Sequence, residues 1–190
     1  MMNKRTLLAS IALSVFAAAC STTVPMPEAK DTMAQRGTID SKVDGAMTKL
    51  YAQEPGAAAL IRKAKGVLVF PSVVSAGFVV GGSYGQGALR VAGGTSGYYS
   101  TTSASVGLLA GADSKAVYII FLTDDSLAKF RASKGWTAGA DASVSVLNSG
   151  ADLGVDTQTA QKPVVGYVLT NAGLMSNVAI DGTKISKLEL

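Results

Sequence analysis

The sequence predicts an α+β protein: a mainly antiparallel, Gly-rich β-barrel or sandwich covered by N-terminal amphipathic helices. Three features carry that reading. Apolar residues recur at helical spacing only early in the chain, between about residues 38 and 65. After Gly66 short apolar runs bounded by Gly, Pro or Asp-Gly take over. Gly fills 21 positions while hydrophobic residues make up 48% of the chain, a mixture that suits strands and close turns better than a disordered chain. With 190 residues the chain is long enough for one core and short for two.

The N-terminus has its own grammar. Lys4 and Arg5 give a short positive start, Leu7 to Ala19 form an apolar stretch, and Ala17-Ala18-Ala19 places small residues before Cys20. Thirteen helical residues rise about 20 Å, short of the ~30 Å hydrocarbon thickness, so residues 1–19 read as a signal peptide rather than a span. The Cys that ends this run resembles a bacterial lipobox, with Ala17 where such motifs usually carry Leu. The resemblance implies acylation of Cys20 and, with Ser21 following, an outer-membrane destination; plain secretory cleavage at the same run is the alternative. Cys20 is the sole Cys, so once acylated it leaves no thiol for a disulfide or a nucleophile.

Residues 20–37, with Pro25 and Pro27, read as the lipidated Cys and a flexible tether, and residues 38–190 as the folded domain. Ile39, Val43, Met47 and Leu50 recur on one helical face, predicting a helix over about 38–53. Glu54-Pro55-Gly56 breaks it, and 57–65 reads as a second short helix closed by Gly66. Val67 to Phe70 is a short buried strand ended by Pro71. Further strands are predicted near 73–83, 86–92, 97–106, 116–122, 138–147, 164–170, 174–180 and 184–189, with turns at Gly93-Gly94, Asn171 to Gly173 and Asp181-Gly182. Asp124 to Arg131 begins with acids and ends with bases, the order a helix dipole prefers. The many Gly, Ala and Ser in strands, as at Gly81-Gly82 and Ala140 to Ser145, permit close approach of backbones.

Catalytic chemistry finds little to stand on. The chain has no His, which removes the commonest general base, the Ser-His-Asp constellation and most zinc sites together. Gly81 to Gly87 imitates a phosphate-cradling loop but lacks the Gly-Lys-Ser/Thr ending and the helix that should follow. Asp124-Asp125 reads as helix capping, and Asp152 with Asp156 as loop solvation, because neither spacing matches a calcium loop. Trp136, the sole Trp, reads as a core or edge anchor. No enzyme activity, cofactor, metal site or nucleic-acid partner is expected.

Charge is more informative in its placement than in its total. Without Lys4 and Arg5 the chain holds 15 basic and 13 acidic side chains. Lys42, Lys49, Arg62, Lys63, Lys65 and Arg90 face only Asp44 and Glu54 between residues 42 and 90, whereas 7 bases meet 8 acids from Val91 onward. These six are the candidate headgroup-binding residues, since a base near an anionic membrane gains about 1 kcal/mol. Bases at a helix C-terminus are also favoured by the dipole with no ligand at all.

Several motifs occur in a recognisable order: Lys63 to Pro71, Ala76 to Leu89, Gly139 to Val146, Tyr167 with Gly173-Leu174-Met175, and Val178 to Gly182. Together they resemble the SYLF lipid-binding domain, also described as an actin-patch-type domain. The chain departs from that pattern at Gly97 to Ser100 and at Gly107 to Gly111. The resemblance implies binding of phosphoinositides or other anionic lipids, with basic residues and an N-terminal amphipathic helix involved in eukaryotic members. A lipid-anchored envelope protein that binds anionic lipid is thus the first expectation. A structural module that engages envelope or host proteins is the second. An integral outer-membrane barrel fits poorly, because lipid-facing strands need aromatic girdles and only 6% of residues are aromatic. Mass spectrometry of membrane fractions should find the N-terminal peptide beginning at an acylated Cys20; an unmodified Cys20 there overturns the anchor.

Overall fold

The computed structural model describes residues 29–77, 80–106, 111–147, 162–170, 173–174 and 180–190. The signal segment, Cys20 and the Asp152/Asp156 pair lie outside these residues, as does most of the predicted 174–180 strand. Helices α1 (Ala29–Gln53) and α2 (Pro55–Lys63) precede β1 (Gly66–Gly77), β2 (Val80–Val91), β3 (Gly94–Val106) and β4 (Gly111–Phe121). Then come α3 (Asp124–Ala132), β5 (Trp136–Thr137), β6 (Ser145–Val146), β7 (Val164–Thr170), β8 (Gly173–Leu174) and β9 (Lys184–Leu188). The α+β expectation holds, with a mainly antiparallel sheet and N-terminal helices packed on it.

All nine strands belong to one sheet, ordered β5-β9-β3-β2-β1-β4-β7-β6, with β8 beside β7. Among the strand pairs of the described residues, β6–β7 alone is parallel. Of barrel and sandwich, the architecture follows the former, as one curled sheet. The proof of curling is in the chain itself. Seven strand spacings of about 4.8 Å would put β5 and β6 about 34 Å apart in a flat sheet. Yet Thr137 and Ser145 are joined by a segment that spans about 28 Å when fully extended. That segment also turns at residues 139–141, where Gly139 N–H donates to Ala142 O at 2.9 Å and Asp141 N–H to Thr137 O at 2.9 Å. The two edges must therefore approach each other. The strand predicted over 138–147 is accordingly a crossing turn with a single bridge between Ala138 and Ala142, flanked by two-residue strands.

Strand alternation gives the sheet two apolar faces. Val67, Val69, Tyr118, Ile120, Val165 and Tyr167 face Ile39, Val43, Leu50 and Leu60 of the first two helices. Leu68, Phe70, Ile119 and Phe121 face inward with Phe130 of α3, Trp136 and Ile185. Burial on both faces explains why Val67 to Phe70 is continuously apolar rather than alternating. Trp136 is an edge anchor of the inner core, 5.7 Å from the Phe130 ring in a T-shaped contact.

Pro71 does not end a strand. β1 runs through it because one extra residue is inserted there against both neighbours: Val69 pairs with Ala88 but Ser72 with Gln86, and Phe70 pairs with Val117 but Val73 with Lys115. A bulged residue is left out of the ladder, so the missing proline N–H costs nothing there. The backbones come very close at this point. A Cβ on Gly87 would lie 2.0 Å from the Val69 carbonyl oxygen, and one on Gly85 2.9 Å from that of Ser72. The close approach expected of the strand glycines is real at these two positions. Gly82 is different: its added Cβ would meet nothing nearer than Ser103 O at 3.7 Å.

Other boundaries shift for local reasons. α1 begins at Ala29, ahead of the predicted 38, so the last part of the expected tether is helical. The β2–β3 turn is Ala92-Gly93, one residue early, with positive φ at both positions (50° and 81°), as a tight hairpin requires. Asp181-Gly182 does turn, with Gly182 at φ 78° and Thr183 N–H donating to Ile180 O at 3.2 Å. It does not join two paired strands, because β8 pairs with β7 while β9 pairs with β3 and β5. α3 is capped by Thr123, whose hydroxyl accepts from Ser126 N–H at 3.2 Å; Asp124 and Asp125 occupy the first turn instead of capping.

Gly87→Ala should abolish two-state folding or cost more than about 3 kcal/mol, since the clash is with backbone. Gly37→Ala, on the exposed side of α1 with nothing within 4 Å, should raise stability by about 0.5–1 kcal/mol. Urea unfolding of both variants checks the pair; a tolerated Gly87→Ala would refute the tight bulge.

Candidate functional site

The candidate site is built around α1, which lies across the sheet and holds the basic residues on two flanks. One flank is locked. Arg90 reaches from β2 to Asp44 at 2.6 Å and Asp40 at 3.4 Å, and donates to Thr95 Oγ1 at 2.6 Å. Asp40 also accepts from the hydroxyls of Thr95 (2.7 Å) and Tyr98 (2.8 Å). Arg36 stands over the Tyr98 ring, 5.9 Å from its centroid. Burial first, then the hydrogen bond to Asp40 and its charge, push the Tyr98 hydroxyl above its usual range, against the lowering effect of Arg36 and Arg90. This network ties α1 to β2 and β3. Removing the half-buried guanidinium would strand partly buried carboxylate, a loss of about 1–3 kcal/mol.

A second cavity of about 420 Å³ adjoins that network, and Arg62, Lys65 and Arg90 are among its lining residues. Asp44 lines it too, and Lys65 is paired with Asp124 of α3 at 3.0 Å. Lys63 is exposed at the end of α2 and lines none of these cavities. The helix-end bases thus stand near carboxylates or in open solvent.

The opposite flank is different in charge. Lys42 and Lys49, two turns apart on α1, border a cavity of about 260 Å³ whose lining is completed by Ser72, Ser114, Lys115 and Tyr118 among others, with no carboxylate. Lys49 Nζ donates to the Thr170 carbonyl at 3.4 Å. Among the described residues no carboxylate lies within ion-pair distance of Lys42 or Lys49. Lys42, Pro71 and Ser72 also line a larger open trough of about 700 Å³ between α1 and the outer half of β1 and β2. Its floor holds Val74 and Tyr84, cross-strand partners 48% and 50% exposed.

The six predicted bases therefore form two groups on opposite flanks of α1, not one patch. Sequence reasoning missed Lys115, Val74 and Tyr84. Val73 and Val74 take opposite faces of β1, as adjacent strand residues do, and beyond the bulge only the face of Val73 is covered. Val73 is buried and Val74 exposed.

Beneath α1, Tyr118 donates its hydroxyl to the Ala46 carbonyl at 2.8 Å. Tyr167 lies beside it in the same core, and its buried hydroxyl finds no hydrogen-bond partner among the described residues. Burial pushes both phenols up to about 12, with the charge of Glu54 adding to the effect at Tyr167. Among the described residues no group of three or more acidic, His or Cys side chains could hold a metal ion. No helix among them is long and apolar enough to cross a membrane.

The described residues thus combine a curled sheet, a helix laid across its outer face and an open trough bordered by Lys42. Residues 102–189, a little under half of the chain, match the family described as Ysc84, Las17-binding protein actin regulator, in keeping with the SYLF resemblance of the sequence. The match begins within β3 and runs through β9, so α1, β1 and β2, which build the trough, lie outside the matched segment, as does α2. Comparison with curated proteins gives no match.

Raised phenol pKa values make stability depend on alkaline pH. Tyr118 and Tyr167 ionise near 10 in the unfolded chain and near 12 in the folded one, so their contribution is complete below pH 10 and is lost as pH rises towards 12. Urea midpoints should fall over that window, and Tyr118→Phe should fall less steeply than wild type. Equal slopes for the two proteins would contradict the burial of this phenol.

Proposed function

We propose that this protein is a non-catalytic envelope module that binds anionic lipid through the lysine flank of α1, held at the membrane by a lipid on Cys20. The observation that carries the reading is the carboxylate-free lining shared by Lys42 and Lys49. Cations without a protein counter-charge attract phosphate, and each adds about 1 kcal/mol near an anionic surface. The lipid tether would raise the local concentration of headgroups, so weak individual contacts suffice for stable association. In this reading Arg62 and Lys63 add long-range attraction, whereas Lys65 and Arg90 mainly hold the fold together. The N-terminal sequence favours the outer membrane as the site of anchorage.

The family description names a protein partner for its members, which favours a second reading in which the same domain engages a protein of the envelope or host. Crosslinking in cells separates the two, since that reading requires one dominant protein adduct.

Flotation of the chain from residue 20 onward carrying Cys20→Ser, which has neither the apolar leader nor an acyl group, tests the first reading. It should float with phosphatidylglycerol-containing vesicles, stay behind with purely zwitterionic ones, and lose retention as salt rises. Lys42→Glu with Lys49→Glu should weaken retention at least about tenfold, from roughly 1 kcal/mol per base lost and a similar repulsion gained. Indifference to vesicle charge sinks the reading.

A further inference from the structure

We propose that the trough beside α1 holds the acyl chain of a single anionic lipid, with its phosphate at Lys42 where the trough meets the smaller lysine-lined cavity. The inference rests on the anionic-lipid reading and adds the chain. An electrostatic surface needs only cations, but this site joins cations to an apolar length. Val74 and Tyr84 pair across β1 and β2 and are both about half exposed. Ala76 and Gly82, the pair two residues further along the same face, are exposed as well. Ile39 of α1 forms the facing wall. The trough, about 700 Å³, lies in the range of small-ligand sites.

The small residues sharpen the argument. Gly85 and Gly87 are required by packing, because a Cβ there would strike the neighbouring backbone. Gly82 is not so required: a Cβ there meets no atom closer than 3.7 Å. Its missing side chain does nothing for the sheet and keeps the trough open.

Charge selects the occupant. Among the described residues no carboxylate lines the trough or the cavity it joins, and Lys42 lines both. A free phosphate would use Lys42 yet leave Val74 and Tyr84 wet, and a neutral chain would leave the lysines without a counter-ion. A lipid with a negative headgroup satisfies both halves, each methylene it buries being worth up to roughly fourfold in affinity.

Native mass spectrometry of the chain from residue 20 onward carrying Cys20→Ser tests this with two soluble probes. They are 1-lauroyl-lysophosphatidylglycerol below its micelle concentration, and sn-glycerol 3-phosphate. One lysolipid should bind per chain, with glycerol phosphate at least about a hundredfold weaker, as the loss of several buried methylenes requires. Ala76→Trp, which fills the trough, and Val74→Ser, which removes apolar floor, should each weaken the lysolipid at least about fivefold. Both positions are exposed, and unchanged thermal midpoints would show that the fold is intact. Unimpaired binding by both folded variants, or glycerol phosphate binding as tightly as the lysolipid, overturns the acyl site. Vesicle flotation of the same protein separates the two levels. Retention on anionic vesicles without lysolipid binding overturns the trough alone, and failure of both overturns the lipid reading with it.

Discussion

The extra residue at Pro71–Ser72 is the constraint from which the rest of the architecture follows. It sits in β1, a central strand, and shifts the register against β2 and β4 together. Before it, β1 is buried on both faces; beyond it, only Val73 is buried. A bulge increases local twist and bends the strand away. The helical cover, which follows the first half of β1, therefore ends where the bend begins, and the outer half of the β1–β2 pair stands clear of it. The trough occupies that divergence, with Pro71 at its corner.

Holding such a bend needs close contact elsewhere. Gly87 supplies it by bringing β2 against the Val69 carbonyl, and the crossing segment between β5 and β6 supplies it by tying the two sheet edges together. The inner face then closes on an aromatic cluster in which Phe130 packs tilted on Phe121 and Tyr99, 4.9 and 5.0 Å away, with Trp136 edge-on. Such ring pairs add about 0.5–1.5 kcal/mol each beyond their buried area. On the outer face α1 is seated by apolar contacts, by the Tyr118 hydroxyl and by the Arg90 network. The basic residues consequently divide by their neighbours. Arg90 lies beside Asp40 and Asp44 and Lys65 beside Asp124, whereas Lys42 and Lys49 share a lining with Ser72 and Ser114.

Elements with local causes were legible in advance. Ile39, Val43, Met47 and Leu50 mark the buried stripe of α1 because helical periodicity is a property of a few consecutive residues. The dipole-ordered charges mark α3 in the same way. Strands β3, β7 and β9 lie close to their predicted positions, since apolar runs between turn residues are also local. Two of the misses share one physical feature, namely dependence on strands distant in sequence. Pro71 looks like a terminator until two neighbouring strands absorb it as a bulge. Residues 138–147 look like a strand until the crossing between two edges requires a turn. The helical start at Ala29 lacks a strong apolar stripe to announce it.

By itself, the sequence determined the fold class, the SYLF resemblance, the lack of a His, the single Cys, and the concentration of bases between Lys42 and Arg90. These depend on residue identity and short-range spacing. Which bases keep a free charge was decided only by tertiary structure. Arg90 finds its carboxylates on a helix 46 and 50 residues earlier, and Lys65 finds Asp124 across the sheet edge. Lys42 and Lys49 come to lie over hydroxyls rather than acids. Electrostatic pairing falls off with distance in space, not along the chain, so only the folded arrangement could divide those cations into carboxylate-paired and carboxylate-free sets.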